Sequence, residues 1–218
     1  VEAQTNTRTD PPVVVVQGEG VVRHAPDQAF VTVGAESRSM TPREAQTANA
    51  QAMTGVQQKI AALGVPKDAV RTVTVTLHQE FDYANGRQTP RGYVARNVIE
   101  VRVDDLNRLG DVLDAAVGSG ATSIQGLRFD LKQRDETERD ALTRAVRDAM
   151  ARAEAAAAGA RTTIDRVIRI EEARVRVTPP VPMMADRMAM TAAQPAPTPV
   201  AEGEIEIRAT VTVTVAIK

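Results

Sequence analysis

Residues Gly92 to Val146 constrain the fold of this chain more than any other stretch. They read Gly-Tyr-Val-Ala-Arg-Asn-Val-Ile-Glu-Val-Arg-Val, then Asp-Asp-Leu-Asn-Arg-Leu-Gly-Asp-Val-Leu-Asp-Ala-Ala, then Ile-Gln-Gly-Leu-Arg-Phe-Asp-Leu, then Arg-Asp-Glu-Thr-Glu-Arg-Asp-Ala-Leu. This is strand, helix, strand, helix, each with its own start and stop signals. Asp104 or Asp105 starts the first helix, with Leu106, Leu109, Leu113 and Ala116 inward and Gly118 and Gly120 at its end. The second runs from about Arg134 to Ala158, with Leu142, Val146, Ala149, Ala153 and Ala157 as its buried stripe and Gly159 as its stop. Asp135–Arg139 and Asp140–Arg144 are i,i+4 pairs on its wet side.

The flanking sequence extends the pattern. Val13 to Val16 begin a strand, which Gly18-Glu-Gly20 interrupts and Val21-Val22 resume. The turn Ala25-Pro26-Asp27 leads into alternating Ala29, Val31, Val33 and Ala35, giving a hairpin-like opening. Thr41-Pro42-Arg43-Glu44 is a helix start with a capping box. Ala45, Ala48, Ala52, Val56, Ile60 and Leu63 form that helix's apolar stripe, and Gly64 and Pro66 end it. Val73, Val75 and Leu77 alternate with threonines as a half-buried strand. Asn85-Gly86 reverses the chain into Val94–Val103.

Towards the C-terminus, Ile164, Ile168 and Ile170 hold even positions, whereas Ala173, Val175 and Val177 hold odd ones. The parity change predicts a bulge or bend at Glu171-Glu172. Thr178 to Ala201 contains six of the twelve prolines and four of the seven methionines, marking a long insertion. The last strand alternates from Ile205 to Ile217 and spans about 45 Å at about 3.3 Å per residue, long enough to reach a second layer or a neighbouring subunit.

These elements predict an α+β fold, with helices on one face of antiparallel or mixed β-sheets and two helix–β-hairpin-type subdomains. Residues 1–12 are expected to be a disordered polar tail and 13–218 the folded part. The candidate subdomains are 13–103 and 104–218, with the Pro/Met-rich loop at 178–201. The chain opens without Met or an apolar signal segment, which reads as a processed or truncated start.

Composition narrows the function. With 27 basic and 28 acidic residues there is no basic excess for nucleic acid, and five aromatics without Trp disfavour base stacking and the girdles of an outer-membrane barrel. Cysteine is absent, so no disulfide or thiolate site exists; this fits an oxidising compartment. No apolar run reaches the roughly 18–20 residues of a transmembrane segment.

Reactive constellations are sparse. His24 and His78 read as surface or edge residues, outside any metal or triad spacing. Gly18-Glu-Gly20 lacks a third glycine and a following helix, so it reads as a strand kink and not a dinucleotide fingerprint. Gly118-Ser-Gly120 follows a helix and is a C-terminal connection. Asp104-Asp105 caps, and Asp135-Glu136-Thr137-Glu138 complements a helix dipole. The sharpest alternative is Met183, Met184, Met188 and Met190, whose thioethers suit Cu(I) or reversible oxidation; the same segment also reads as an adaptable Ala/Pro/Met loop. No catalytic residue and no cofactor is expected.

Gly18-Glu-Gly20, the Ala25-Pro26-Asp27 turn, Asn85-Gly86, Gly92-Tyr93, Asp105 to Ala116, Ile124-Gln-Gly-Leu and Arg134-Asp-Glu follow one another in an order that resembles the SIMPL-domain family of YggE-like periplasmic proteins. The resemblance covers about Val13 to Lys218. It implies an exported protein of the periplasm or outer-membrane periphery, with relatives that are immunogenic, that form large oligomers, or that are tied to oxidative-stress tolerance. It supplies no catalytic residue. Three readings follow. The first is a non-enzymatic homo-oligomer, motivated by long alternating strands with faces such as Thr210, Thr212 and Thr214. The second is a Cu(I)- or oxidant-responsive protein acting through the methionine loop. The third is a hydrolase using acidic residues.

Overall fold

The alternation of Ile205, Ile207, Ala209, Val211, Val213 and Val215 buries one whole face of a strand, and that strand organises its half of the protein. The computed structural model describes residues 11–84, 86–181 and 203–218. Two compact units emerge. Among the described residues, one consists of 11–25, Gln133–Val181 and Glu204–Lys218; the other is built from Pro26–Lys132. The boundary therefore differs from the expected cut between Val103 and Asp104, because the chain's two ends come together in one unit.

In the first unit, β7 (Glu204–Ile217) lies between β1 (Val13–His24) and β6 (Ile164–Val181), antiparallel to both. Helix α3 (Arg134–Gly159) packs on β1 and β7. Its buried residues are Ala141, Ala145, Ala149, Ala153 and Ala157, an i,i+4 file of methyl groups; Leu142 and Val146, expected in the stripe, are only half-buried at its side. The file explains the two glycines of β1. A Cβ on Gly18 would lie 2.2 Å from the carbonyl oxygen of Ala145, and one on Gly20 would lie 2.0 Å from that of Ala141. The glycines thus admit the helix backbone directly against the strand. They do not interrupt it: β1 pairs with β7 without a break, Gly18 opposite Val211 and Gly20 opposite Ala209.

Strand β6 also departs from expectation. Pairing is regular from Ile170 to Ala173, across the predicted bend at Glu171-Glu172, and the register shifts fall on either side, at Val167/Arg169 and Ala173/Arg176. The parity change is absorbed at those flanks. Thr178–Val181, assigned by composition to the loop, continue the strand.

In the second unit the sheet order is β3 (Val70–Ala84), β4 (Arg87–Val103), β2 (Gln28–Ser39), β5 (Ser123–Asp130), all neighbours antiparallel. The expected opening hairpin is absent: β1 pairs with β7, while β2 pairs with β4 and β5. Helices α1 (Pro42–Ala62) and α2 (Leu109–Gly118) cover one sheet face. Val31, Val33, Ile99 and Val101 from the sheet meet Met53, Val56 and Ile60 of α1 and Leu109, Val112 and Ala116 of α2. Each such aliphatic side chain, fully buried, contributes roughly 1.5–3 kcal/mol.

Thr41 caps α1 by accepting from the amide of Glu44, at 3.3 Å. The buried positions after Ala45 are Asn49, Met53, Val56 and Ile60, so the stripe tilts away from Ala48 and Ala52. Asn49 is a polar residue inside this core. Its Nδ2 donates to the carbonyls of Ala35 on β2 (2.8 Å) and Ala95 on β4 (3.1 Å), tying helix to both central strands. The architecture is α+β: two antiparallel sheets and three α-helices among the described residues.

Candidate assembly surface

Strand β3 is an edge strand of the four-stranded sheet, and beyond Val70, which packs half-buried against the core, neither of its faces is covered. Val75 is 64% exposed, Leu77 43% and Tyr83 77%; Val73 and Phe81 are also exposed. Sequence alternation predicted a half-buried strand here. The helices instead stop short of it, so the apolar alternation reaches solvent.

The reason lies in register. Val75 opposes Asn97 and Leu77 opposes Ala95, so both point to the helix side of the sheet. Val73 is an extra residue bulged between Thr72 and Thr74. Beyond the end of β2, where Ser39 opposes Tyr93, β3 and β4 continue as a two-stranded arm from Glu80/Gly92 to Ala84/Arg87. Gly92 sits where this arm leaves the sheet. Its φ of +141° and the Ser39 carbonyl oxygen, 2.7 Å from where a Cβ would stand, both demand glycine.

Between α1 and the start of β3 lies a groove of about 440 Å³ whose lining includes Thr54, Gln58, Ala61, Val65, Val70 and Thr72. On the other sheet face, Arg71 pairs with Glu100 at 2.7 Å and Glu80 with Arg38 at 3.3 Å. Both are surface pairs of small energetic weight.

Two of the other sheet edges, β5 and β6, are protected in familiar ways. β5 is eight residues long and is bulged opposite Thr32/Val33. β6 carries Asp165, Arg166, Arg169, Glu171 and Glu172 and several bulges. β1 has Gly18, Glu19 and Gly20 at its centre. From Val70 to Gln79, β3 carries one fixed charge, Arg71. The register shifts of its pairing with β4, at Thr72/Thr74 and Glu80/Phe81, leave Thr74 to Gln79 regular and uncovered.

His24 ends β1 and His78 lies within β3, both exposed and in different units. Met183, Met184, Met188 and Met190 lie outside the described residues. Among the described residues, Gln28 and Asn49 are the buried polar side chains, and no group of three or more His, Asp or Glu could hold a metal ion. Asp105 accepts from the amide of Asn107 and caps the short 3-10 turn before α2, as its sequence position suggested.

The displaced titrations are also local. Glu44 is held below the ordinary glutamate range by the hydroxyl of Ser39 (2.5 Å) and then by Thr41. Asp165 is lowered chiefly by Lys218. Arg169 is raised by Glu171. All three groups are solvent-exposed. Among the described residues the arrangement thus offers an unpaired strand edge, and no cluster of reactive side chains, as its distinguishing surface.

Comparison with known proteins agrees with the sequence resemblance. The model of the SIMPL family, described as a protein of unknown function (DUF541), matches residues 14–215. The 26 kDa periplasmic immunogenic protein of Brucella melitensis is 30% identical over 202 residues, covering 88% of this chain and 80% of the relative. The uncharacterized protein YggE of Escherichia coli K12 is 27% identical over 197 residues, covering 88% and 79%.

Proposed function

This chain belongs to the SIMPL family, and from that premise we propose that it is a non-enzymatic protein of the periplasm or outer-membrane periphery that self-assembles through uncovered sheet edges into a symmetric oligomer. The observation that carries the reading is β3, a 15-residue edge strand with exposed apolar side chains and only one fixed charge before Glu80. Unpaired strand edges of this kind template pairing with another chain, and closed symmetry is the usual outcome for soluble assemblies. The compartment is supported by the name of the Brucella relative. Among the described residues no helix is long and apolar enough to cross a membrane.

A role without catalysis is supported by the exposure of both histidines, His24 and His78. A link to oxidative-stress tolerance is proposed on the family resemblance alone, and peroxide survival of a strain lacking the protein reads it directly. The assembly itself is tested by light scattering on the eluting protein. The expected mass is a multiple of 23.4 kDa. A monomer at high concentration refutes the proposal.

A further inference from the structure

We infer that two copies join through β3 itself, antiparallel about a two-fold axis at Thr76, so that two four-stranded sheets become one of eight strands. The inference rests on the assembly reading above and adds the edge, the register and the symmetry.

The register follows from the β3–β4 pairing. Counting the bulged Val73 out, a two-fold at Thr76 places Val75 opposite Leu77 of the second copy, and Thr74 opposite His78. It places Thr72 opposite Gln79, Arg71 opposite Glu80 and Val70 opposite Phe81. Every pair shares one sheet face, which antiparallel pairing requires. The exposed aliphatic residues Val75 and Leu77 cover each other twice. Arg71 and Glu80, both on the face away from the helices, form two symmetric cross-strand pairs of opposite charge.

Moving the axis by one residue loses the Val75–Leu77 match. At Val75, Val70 faces Gln79 and Arg71 faces His78. At Leu77, Val75 faces Gln79 and Glu80 faces Thr74, while Arg71 meets Asp82 and Val70 meets Tyr83, so charge-swap rescue at Glu80 and not at Asp82 separates the two registers.

The groove beside α1 supports the same register. Val70 is part of its wall, together with Ala61, Val65 and Thr72. Alternation puts Phe81 on the helix side, so the ring of the second copy's Phe81 arrives opposite Val70, at the mouth of that groove. A groove whose lining mixes Ala61, Val65 and Val70 with Gln57, Gln58 and Lys67, and an exposed aromatic, thus become each other's cover. The arm that carries Phe81 projects beyond β2, which lets it lie across a neighbouring copy.

The chain contains no cysteine, so a single engineered thiol is unambiguous. Opposed residues of an antiparallel pair have Cα atoms about 4.5–5.5 Å apart, within the disulfide range. Thr76→Cys is therefore expected to oxidise to a covalent dimer, while Asp165→Cys on β6 is not. Arg71→Glu is expected to weaken self-association about tenfold, and the double variant Arg71→Glu/Glu80→Arg to restore it. Circular dichroism on each variant checks that the fold is retained. An oligomer by light scattering that lacks the Thr76→Cys cross-link and the charge-swap rescue overturns this interface and leaves the assembly reading standing. A wild-type monomer overturns both.

Discussion

Replacing Gly18 by alanine adds one methyl group at the tightest contact in the first unit. That methyl would stand 2.2 Å from the Ala145 carbonyl oxygen, 2.4 Å from the Ala149 amide nitrogen and 2.7 Å from the Ala149 Cβ. Ordinary contact begins at 3.4 Å, so α3 must retreat from β1 by about 1 Å. The obstructing atoms are mostly helix backbone, which cannot rotate aside. A gap of that size forfeits between a quarter and a half of the dispersion energy of the atoms it separates, and overpacking of this kind costs about 1–3 kcal/mol, occasionally more. Against it stands a gain of about 0.4–1 kcal/mol from a less flexible unfolded chain. The net expectation is a loss of about 1–2 kcal/mol. In a protein of this size that lowers the melting midpoint by roughly 2–8 °C, read by differential scanning calorimetry. Gly126→Ala is the control: a Cβ there meets nothing within 4 Å, and its midpoint is expected to hold or rise slightly. Because backbone atoms are the obstacle, adding Ala149→Gly to Gly18→Ala should not recover the loss. A Gly18→Ala midpoint equal to wild type, or full rescue by Ala149→Gly, refutes the close-approach argument.

Three further outcomes are expected. Asn49→Ala removes the donor shared by Ala35 and Ala95 and should destabilise the second unit by about 1–3 kcal/mol; Asn49→Leu, which restores volume without the donor, should recover little of this in urea unfolding. Asn97 carries the one buried side-chain oxygen, Oδ1, without a hydrogen-bond partner among the described residues, so Asn97→Val should raise the unfolding free energy by about 1 kcal/mol, and a fall would contradict it. Glu44 has a folded-state pKa depressed by Ser39 and Thr41. Its stabilising effect is present above the ordinary glutamate range and is lost as pH falls through the lower folded value, so Glu44→Gln should be less stable at neutral pH and converge with wild type in acid; a Glu44 titration by NMR at or above the ordinary midpoint would remove the basis for this.

Much of the second unit was legible because its signals are local. Thr41 at the cap, the leucines and alanine of α2, and the β3–β4 reversal each announce themselves within a few residues. The first unit was harder because β1 finds its partner in the final strand, far along the chain. The Ala25-Pro26-Asp27 turn looked like a hairpin, and nothing local distinguishes a turn that reverses a strand from one that leaves the sheet. The purpose of Gly18 and Gly20 was readable in principle: glycines at strand period two match alanines at helix period four, a pairing of small residues across two elements. The exposure of β3 was not readable, since alternating Thr and Val describe a half-covered strand and an uncovered one equally well. Likewise, the methionine cluster of 183–190 lies outside the described residues, and its chemistry rests on sequence alone.

The placement of β7 between β1 and β6 has a consequence for how the molecule is made. A chain that emerges N-terminus first holds β1 without its neighbour until residues 204–217 have followed, whereas the uninterrupted stretch 26–132 already contains all four strands of the second sheet. The second unit can therefore mature early, while the first waits on the last strand to be delivered and is exposed to mispairing in the interval. Loss of residues 204–217 would strip the middle rib from that sheet and leave two strands with nothing to hold them together.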